Sequence, residues 1–276
     1  MLKITTLIEN EKGQDLDLIN EHGLSILIEI DNNKILFDTG SSHAFIKNAE
    51  KLQLDLSKIN YLILSHGHYD HTGGMKHLVN KYEVKYNLYA HEDIFIKKYR
   101  EDNGLYKYLG MDFDKQWIID NNININYVNE DIVNISKNAY IISNFVRISQ
   151  YENNNEVYKV KSRNEYIIDD FHDEICLVLR TSKGLVVVLG CSHPGIENIL
   201  ETIISRFHET IYMVIGGTHL VRASKDRIKH TINFMKNKNI NYIGVSHCTG
   251  KIAVLELEKV FGDKYFYNCT GNVISI

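Results

Sequence analysis

The sequence lacks the features that mark several common classes of protein. No lysine- or arginine-rich block occurs and the formal net charge is −4, so the chain has no electrostatic footprint for nucleic acid. No apolar run approaches the roughly 20 residues that span a bilayer, and charge interrupts the first ten residues too early for a signal peptide. The four cysteines lack the density and spacing of a disulfide framework. We therefore expect a reduced, cytoplasmic protein with no nucleic-acid or membrane partner; a homo-oligomer is left open.

At 276 residues, of which 44% are hydrophobic, the chain suits one large globular domain or two small ones. The turn-forming residues 31–33 separate two strand-like segments, so a β-hairpin is expected over residues 24–38. Amphipathic periodicity predicts helices over residues 196–207 and 225–238. Short apolar runs predict buried strands at residues 61–64, 185–189, 211–215 and 242–246.

The most informative stretch follows the apolar run 61–64 and places four metal-capable side chains within six residues: His66, His68, Asp70 and His71. In an extended chain His66 and His68 point the same way, so both can bind one ion. Asp70 and His71 follow as the chain turns, and they can bind a second ion. Unrelated surface histidines are the alternative, but this order of residues after a buried strand is hard to obtain by chance.

Three later apolar segments are each followed by a histidine, namely His193, His219 and His247. Repetition of this pattern suggests that the loops converge on one pair of ions. Imidazole and carboxylate ligands suit Zn²⁺, with Mn²⁺, Fe and Mg²⁺ as alternatives. The resulting assignment is His66, His68 and His193 for the first ion, and Asp70, His71 and His247 for the second.

The order of residues in 66–71 resembles the His-x-His-x-Asp-His signature of the metallo-β-lactamase superfamily. Further stretches resemble one branch of it, named for the dihydropterin-ribofuranosylaminobenzene-phosphate synthase: residues 21–25, 36–40, 184–196, 216–220 and 247–250. The resemblance covers almost the whole chain. It implies an α+β fold, the αββα four-layer metallo-β-lactamase sandwich, as a single domain over residues 1–276 with a lid or insertion at about 94–155.

The resemblance also suggests roles outside the signature. Asp38 stands where the family has an aspartate that orients the ligand loop, although a strand-ending turn residue is the alternative. Cys191 stands where most members have a bridging carboxylate, so it is either a thiolate ligand or an unligated buried thiol. Arg147 lies where the family tends to have a phosphate-binding arginine, but the preceding family pattern is absent and a surface arginine is an equal alternative.

His219 lies in a glycine-flanked turn that can approach a ligand closely. We assign it to substrate or transition-state contact, as proton donor or oxyanion stabiliser. A metal-ligand role is the runner-up, and a hydrogen-bonded structural histidine is the third interpretation.

Together these features predict a metal-dependent enzyme that acts on a small phosphorylated or pterin-like substrate. In a hydrolase, Asp70 anchors a metal-activated water as well as binding metal, whereas in the synthase the metal assists loss of diphosphate from a pterin methyl group. The metal ligands cannot separate these reactions. A generic metallohydrolase, such as a phosphodiesterase or lactonase, is the main alternative. Less favoured are a non-catalytic ligand sensor and a diiron oxidoreductase, whose family members usually have Glu where His68 stands and a fused flavin domain.

Overall fold

The structure of the protein is a computed structural model that describes residues 1–13, 17–83, 85–152, 156–163 and 165–276. Its backbone contacts divide the chain into two compact units. The first unit comprises Met1–Asn129, Asn155–Asp173 and Cys269–Ile276, and the second comprises Glu130–Asn154 and Glu174–Asn268. The expected single domain and its lid stay predictions, and residues 153–155 of that lid lie outside the described residues.

The elements are numbered in chain order. The earlier strands are β1 (Leu2–Ile8), β2 (Ser25–Ile30), β3 (Asn33–Phe37), β4 (Tyr61–Ile63), β5 (Asn87–Ala90), β6 (Lys98–Asp102), β7 (Leu105–Tyr108) and β8 (Ile125–Tyr127). The later strands are β9 (Ile132–Ser136), β10 (Ala139–Ile142), β11 (Tyr158–Ser162), β12 (Glu165–Ile168), β13 (Cys176–Thr181), β14 (Gly184–Leu189), β15 (Ile211–Gly217), β16 (Tyr242–Ser246) and β17 (Val273–Ser275). The α-helices are α1 (Ala44–Lys51), α2 (Tyr69–Thr72), α3 (Met75–Lys81), α4 (Lys115–Asp120), α5 (Ile196–Phe207), α6 (Lys225–Asn237) and α7 (Lys251–Phe261). Within the described parts of the chain, none of these helices combines the length and the apolar character needed to cross a membrane.

The first unit is built on a seven-stranded sheet in the order β17-β1-β2-β3-β4-β5-β8. Its β1, β2 and β3 are antiparallel neighbours, whereas β3, β4, β5 and β8 run parallel. Phe45 of α1 and Leu78 of α3 share one buried core with Leu36 and Leu62 of the sheet. A smaller sheet in the same unit has the order β12-β11-β6-β7.

The second unit is built on a six-stranded sheet in the order β16-β15-β14-β13-β10-β9. Strands β14, β15 and β16 are parallel neighbours. Residues 185–189 of β14 are fully buried, as expected for a strand of a parallel sheet that is covered on both faces. Ile199 of α5, Ile232 of α6 and Leu257 of α7 share its core with Val187.

The sequence predicts several of the regular elements of the two main sheets. Helix α5 and strand β16 have the expected bounds, and β2 and β3 form the expected hairpin. The sequence analysis predicted no individual elements within residues 94–155. The described residues of this segment form five strands and one α-helix. Strand β6 pairs with the distant strand β11, which local periodicity cannot reveal.

Candidate metal centre

His66 and His68 lie in the loop that leaves β4 in the first unit, and both side chains are buried. The Nε2 atom of His66 lies 3.0 Å from the Nδ1 atom of His68. Two imidazole nitrogens this close can share one cation, since each Zn–N bond is about 2.0–2.1 Å long. The structure thus brings together the first two ligands assigned from the sequence.

Asp70 and His71 lie on α2, a single helical turn that begins directly after His68. The Oδ2 atom of Asp70 lies 3.8 Å from Nε2 of His71 and 3.2 Å from Nε2 of His22. His22 was given no chemical role in the sequence analysis, yet it faces the same carboxylate. The sequence feature that could have pointed to this contact is the next residue, Gly23. A Cβ at position 23 would lie 2.6 Å from the Asp70 carbonyl oxygen. Only glycine lets the His22 loop approach α2 so closely.

Asp38 fixes the tautomers of two of these histidines. Its buried carboxylate accepts hydrogen bonds from the N–H and hydroxyl groups of Ser65, both at 2.7 Å, and from Nδ1 of His71 at 2.6 Å. Because a carboxylate only accepts, Nδ1 of His71 carries the proton and its Nε2 is a lone-pair donor for a cation. The Ser65 hydroxyl gives its proton to Asp38 and therefore accepts from Nδ1 of His66 at 2.9 Å, which leaves Nε2 of His66 as the metal-facing atom.

The register of the sheet explains why Asp38 reaches this loop. Strands β3 and β4 are parallel, with Phe37 opposite Ile63, so the residues that follow them emerge side by side. Asp38 has φ of +59°, in the left-handed region that non-glycine residues rarely adopt. Burial lowers the pKa of His66 well below its usual value, and the neighbouring His71 and His68 lower it further. His66 is therefore neutral at pH 7, which is the form that binds metal.

A buried ion cluster, formed by residues that lie far from the loop in sequence, supports the same loop. Gly67, between the two histidines, donates its backbone N–H to Oδ2 of Asp173 at 2.8 Å. Oδ1 of Asp173 accepts from Lys98 at 2.8 Å, and the same ammonium group lies 2.8 Å from Asp169. A Cβ at Gly67 would come within 2.4 Å of the Ile94 carbonyl oxygen, so glycine is needed there. The sequence analysis did not identify this cluster.

The second unit delivers its metal-capable residues from three neighbouring loops. Strands β14, β15 and β16 are parallel, with Leu189 opposite Gly216 and Gly217 opposite Ser246, so their carboxyl ends share one edge of the sheet. The loops at this edge carry Cys191, His193, His219, His247 and Cys248. The ring centroids of His193 and His219 lie 4.2 Å apart.

Glu174 holds the first of these loops, and the sequence analysis missed it too. Its carboxylate accepts the backbone N–H groups of Ser192, at 2.5 Å, and of His193, at 2.7 Å. The backbone of these loops is strained, because three non-glycine residues have left-handed φ values: Ser192 at +63°, His219 at +51° and His247 at +56°. Each such residue costs of the order of 1–3 kcal/mol, and strain of this kind clusters at functional sites.

Cys191, His219 and Cys248 lie together at this edge, with one ligand atom of each within 4.8 Å of the other two. The backbone N–H of His219 donates to Sγ of Cys248 at 3.3 Å, and Sγ of Cys248 lies 3.4 Å from the Cys191 carbonyl oxygen. Burial acts to raise the pKa of Cys248, but hydrogen bonds with Cys191 and His219 outweigh it and hold that pKa well below its usual value. Cys248 is thus a thiolate candidate that the sequence analysis did not single out.

Arg147 lies on an exposed loop after β10. The backbone of this loop is fastened to α5, since Val146 donates to Oγ1 of Thr202 and Ile148 donates to Oδ1 of Asn198. Glu152 continues the attachment, because its buried carboxylate accepts the backbone N–H groups of Glu197 and Asn198 at the start of the helix. Burial raises the pKa of Glu152 to about 7.

The donor atoms in the two units are chemically suited to a divalent first-row cation. The first unit offers imidazole nitrogens and a carboxylate oxygen, and the second offers imidazole nitrogens and two sulfurs. Zn²⁺ accepts all three donor types, whereas Mg²⁺ and Mn²⁺ favour oxygen. The tautomers set by Asp38 and the neutral ring of His66 leave lone pairs available for such an ion.

Comparison with known proteins gives the class of the chain. Residues 19–150 match the family model of the metallo-β-lactamase superfamily. The crystal structure of Tm1679, a metal-dependent hydrolase of the β-lactamase superfamily, superposes with a TM-score of 0.85 at 32% sequence identity, over 100% of this chain and 99% of that chain. The chain belongs to the metallo-β-lactamase superfamily, as the signature predicted. The α+β sandwich fold is likewise confirmed, and this fold implies binding of divalent metal.

The branch expected from the sequence is also confirmed. The 7,8-dihydropterin-6-methyl-4-(β-D-ribofuranosyl)-aminobenzene-5′-phosphate synthase of Methanocaldococcus jannaschii is 31% identical over 271 residues, 90% of this chain and 88% of that protein. An uncharacterized protein of the same organism is 30% identical over 256 residues, 93% of this chain and 94% of its own length. The similarity therefore extends over nearly the full length of each relative.

Proposed function

We propose that this protein is a metal-dependent enzyme that acts on a small phosphorylated or pterin-like substrate. The observation that carries the proposal is the buried pair of His66 and His68, whose facing nitrogens lie 3.0 Å apart beside the Asp38 network. The substrate class is supported by the 31% identity to the dihydropterin synthase of M. jannaschii.

The proposed ligands are those assigned from the sequence. His66, His68 and His193 would hold a first ion, and Asp70, His71 and His247 would hold a second, with zinc favoured over manganese, iron or magnesium. When bound, such ions supply activation of water and neutralisation of phosphate charge.

Four residues of the chain would have further roles in the reaction. Asp70 would orient a water molecule as well as bind metal. Asp38 would keep the rings of His66 and His71 in their metal-binding tautomers, which removes the cost of reorganising them during the reaction. His219 keeps two alternatives, proton donor to the substrate or metal ligand. Arg147 would bind a substrate phosphate only if its exposed loop folds over the bound molecule.

A generic metallohydrolase, such as a phosphodiesterase or a lactonase, is the second candidate. It is supported by the similarity to Tm1679, which is described as a metal-dependent hydrolase and is 32% identical. Transfer with loss of diphosphate and hydrolysis need the same charge neutralisation, so the ligand residues favour neither. In either case we propose a cytoplasmic enzyme without nucleic-acid or membrane partners.

The test combines metal analysis with two assays on the purified full-length protein. A dihydropterin methyl diphosphate with an aminobenzene acceptor tests transfer, and chromogenic phosphodiesters and lactones test hydrolysis. His68→Ala should lose at least about 1000-fold in turnover, roughly 4 kcal/mol of transition-state stabilisation, along with the ion that His68 would hold. His77→Ala, at an exposed histidine on α3, is the matched control and should retain both.

Each outcome separates the candidates. Turnover of the pterin diphosphate with weak ester hydrolysis supports the synthase-like enzyme, and the reverse supports the generic hydrolase. Metal loss in His68→Ala without any measurable turnover in the wild type would leave a ligand sensor as the better account.

A further inference from the structure

The second unit contains a donor set that the sequence analysis did not join: Cys191, His219 and Cys248. One ligand atom from each residue lies within 4.8 Å of the other two. Two sulfurs and one imidazole nitrogen are the protein ligands of a known kind of catalytic zinc site, in which the fourth position stays open. We propose that these three residues bind one divalent cation, Zn²⁺ in the first place, through two thiolates and one imidazole.

The proposal rests on the proposed function in one respect, namely that the enzyme requires a metal. It does not depend on the ligands of the His66 loop. It selects the ligand role for His219 over that of proton donor. It also selects a thiolate ligand for Cys191 over an unligated buried thiol. Cys248 is the new member, since neither the signature nor the strand-end pattern pointed to it.

The parallel sheet explains why three residues so far apart in sequence meet. Cys191 follows β14, His219 follows β15 and Cys248 follows β16, and these three strands are parallel neighbours in register. Two of the loops hold a histidine in the left-handed region, His219 itself and His247 next to Cys248. Such strain persists only where the surrounding structure enforces it.

Gly217 shows that the approach of the two cysteines is built into the packing. A Cβ at this position would lie 2.5 Å from Sγ of Cys248, 2.6 Å from the Gly190 carbonyl oxygen and 3.3 Å from Cα of Cys191. Any larger residue would force the Cys248 side chain away from the loop of Cys191. The absence of a side chain at residue 217 therefore makes room for the second sulfur.

A hydrogen bond prepares that sulfur for a cation. The backbone N–H of His219 donates to Sγ of Cys248 at 3.3 Å, and hydrogen bonds from the surroundings orient and tune metal ligands. Cys191 is buried and Cys248 is partly exposed. The partial exposure of the Cys248 residue makes its chemical modification a probe of occupancy.

Cobalt substitution tests the set directly. Metal-free full-length protein is titrated with Co²⁺, and the near-ultraviolet thiolate-to-cobalt charge-transfer band is recorded. The wild type should show the band at the intensity of two thiolates. Cys248→Ser and Cys191→Ser should each lose about half of it and bind Co²⁺ about tenfold or more weakly. Cys269→Ser, which removes a partly buried thiol of the first unit, is the matched control and should leave the band unchanged.

A second measurement needs no substitution. Alkylation of the native protein, followed by peptide mass analysis, should modify Cys248 in metal-free protein and spare it when Zn²⁺ is present. Cys269 should be modified equally in both samples. Equal modification of Cys248 with and without Zn²⁺, no charge-transfer band, or a disulfide between Cys191 and Cys248 in place of metal protection would each overturn the proposal.

His68→Ala keeps the two hypotheses distinguishable. It should lose turnover and keep the charge-transfer band, because Cys191, His219 and Cys248 are unchanged. If the wild type turns over substrate but shows no band, the thiolate site is refuted while the proposed function stands. If the band is present but no substrate is turned over, the proposed function is refuted while the thiolate site stands.

Discussion

The two units present metal-capable residues in different ways. In the first unit His66, His68, Asp70 and His71 follow a single strand within six positions of the chain. In the second unit each contribution comes from a different loop, after one of three parallel strands. The first set is therefore encoded in local sequence, whereas the second set exists only once the order of the sheet is established.

The supports of the two sets differ as well. Buried carboxylates support the set in the first unit. Asp38 accepts a hydrogen bond from the side chain of His71, and Asp173 accepts one from the ammonium group of Lys98. In the second unit Glu174 accepts two backbone N–H groups. Three non-glycine residues in its loops have left-handed φ values, against one, Asp38, beside the His66 loop. We expect the first set to be sensitive to charge changes far along the chain, and the second to be sensitive to changes of the backbone.

The largest effect is expected from Lys98→Met. Lys98 is 2% exposed and bonds Asp169 and Asp173, so its removal leaves two buried carboxylates without a cation. Breaking a buried ion pair in this way costs about 3–5 kcal/mol, measurable as the free energy of unfolding in urea. Lys97→Met, at an exposed neighbour, should change it little. The triple variant K98M/D169N/D173N should recover most of the loss, and a triple variant as unstable as K98M would contradict the ion-cluster explanation.

Asp38→Asn should act mainly on metal affinity. Both oxygens of Asp38 face donors, namely the groups of Ser65 and Nδ1 of His71, so an amide NH₂ must oppose one of them. The ring of His71 then loses its fixed tautomer, and we expect divalent-metal affinity to fall by about 100-fold. Isothermal titration with Zn²⁺ measures this, with Asp55→Asn on an exposed turn as control. Unchanged affinity would show that Asp38 does not set the tautomer.

Asp173→Asn and Glu174→Gln test the contrast between the units most directly. Each carboxylate faces only donors in the contacts that hold the loops, Gly67 and Lys98 for the first and two backbone N–H groups for the second. We expect each variant to lose about tenfold in metal affinity. Only Glu174→Gln should weaken the thiolate-to-cobalt band, since its loop carries Cys191. An equal change of the band in both variants would mean that the supports do not act on separate sets.

A separate effect concerns the pH dependence of stability in the second unit. Burial raises the pKa of Glu152 to about 7 in the folded protein, from 4.5 in the unfolded chain. A raised carboxyl pKa means that the folded state binds the proton more tightly. Its contribution is thus fully present below about pH 4.5 and is lost as the pH rises through about 7.

Glu152→Gln should remove this component. The difference in unfolding free energy between wild type and variant should change by about 3 kcal/mol between pH 4.5 and pH 8. Urea denaturation at several pH values measures it, with Glu156→Gln at an exposed site as the control. A difference independent of pH would show that Glu152 titrates normally.

The sequence predicts β2, β3 and β4 of the first unit and β14, β15 and β16 of the second, because each is a short apolar run bounded by turn residues. It also predicts the His66 loop, since the four ligands lie next to one another in the chain. It cannot reveal the contact between Gly67 and Asp173, which are 106 positions apart, because only the tertiary fold creates that contact. Lys98 illustrates the same limit, since a lysine is almost never fully buried unless it is paired, and its partners are distant in sequence.

For Cys248 and Glu174, the sequence raises the possibility of a functional role but does not decide it. Cys248 stands next to His247, and a cysteine beside a candidate ligand is as easily a packed thiol as a second ligand. Glu174 lies two residues before the start of the buried strand β13, where a carboxylate is unusual enough to have raised the question of its partners. In both cases the deciding fact is which loops the parallel strands bring side by side.

Asp173 and Glu174 are consecutive residues, and each anchors a loop of a different unit. This pairing has a practical consequence for recombining the protein with its relatives. A chimaera that takes residues 66–71 from one parent and the Asp173-Glu174 dipeptide from another separates the His66 loop from Asp173, while Glu174 and the loop of His193 can still come from one parent. Crossover points placed before residue 38 or after residue 248 keep loops and anchors from the same parent, so such chimaeras should retain metal far more often than those joined between them.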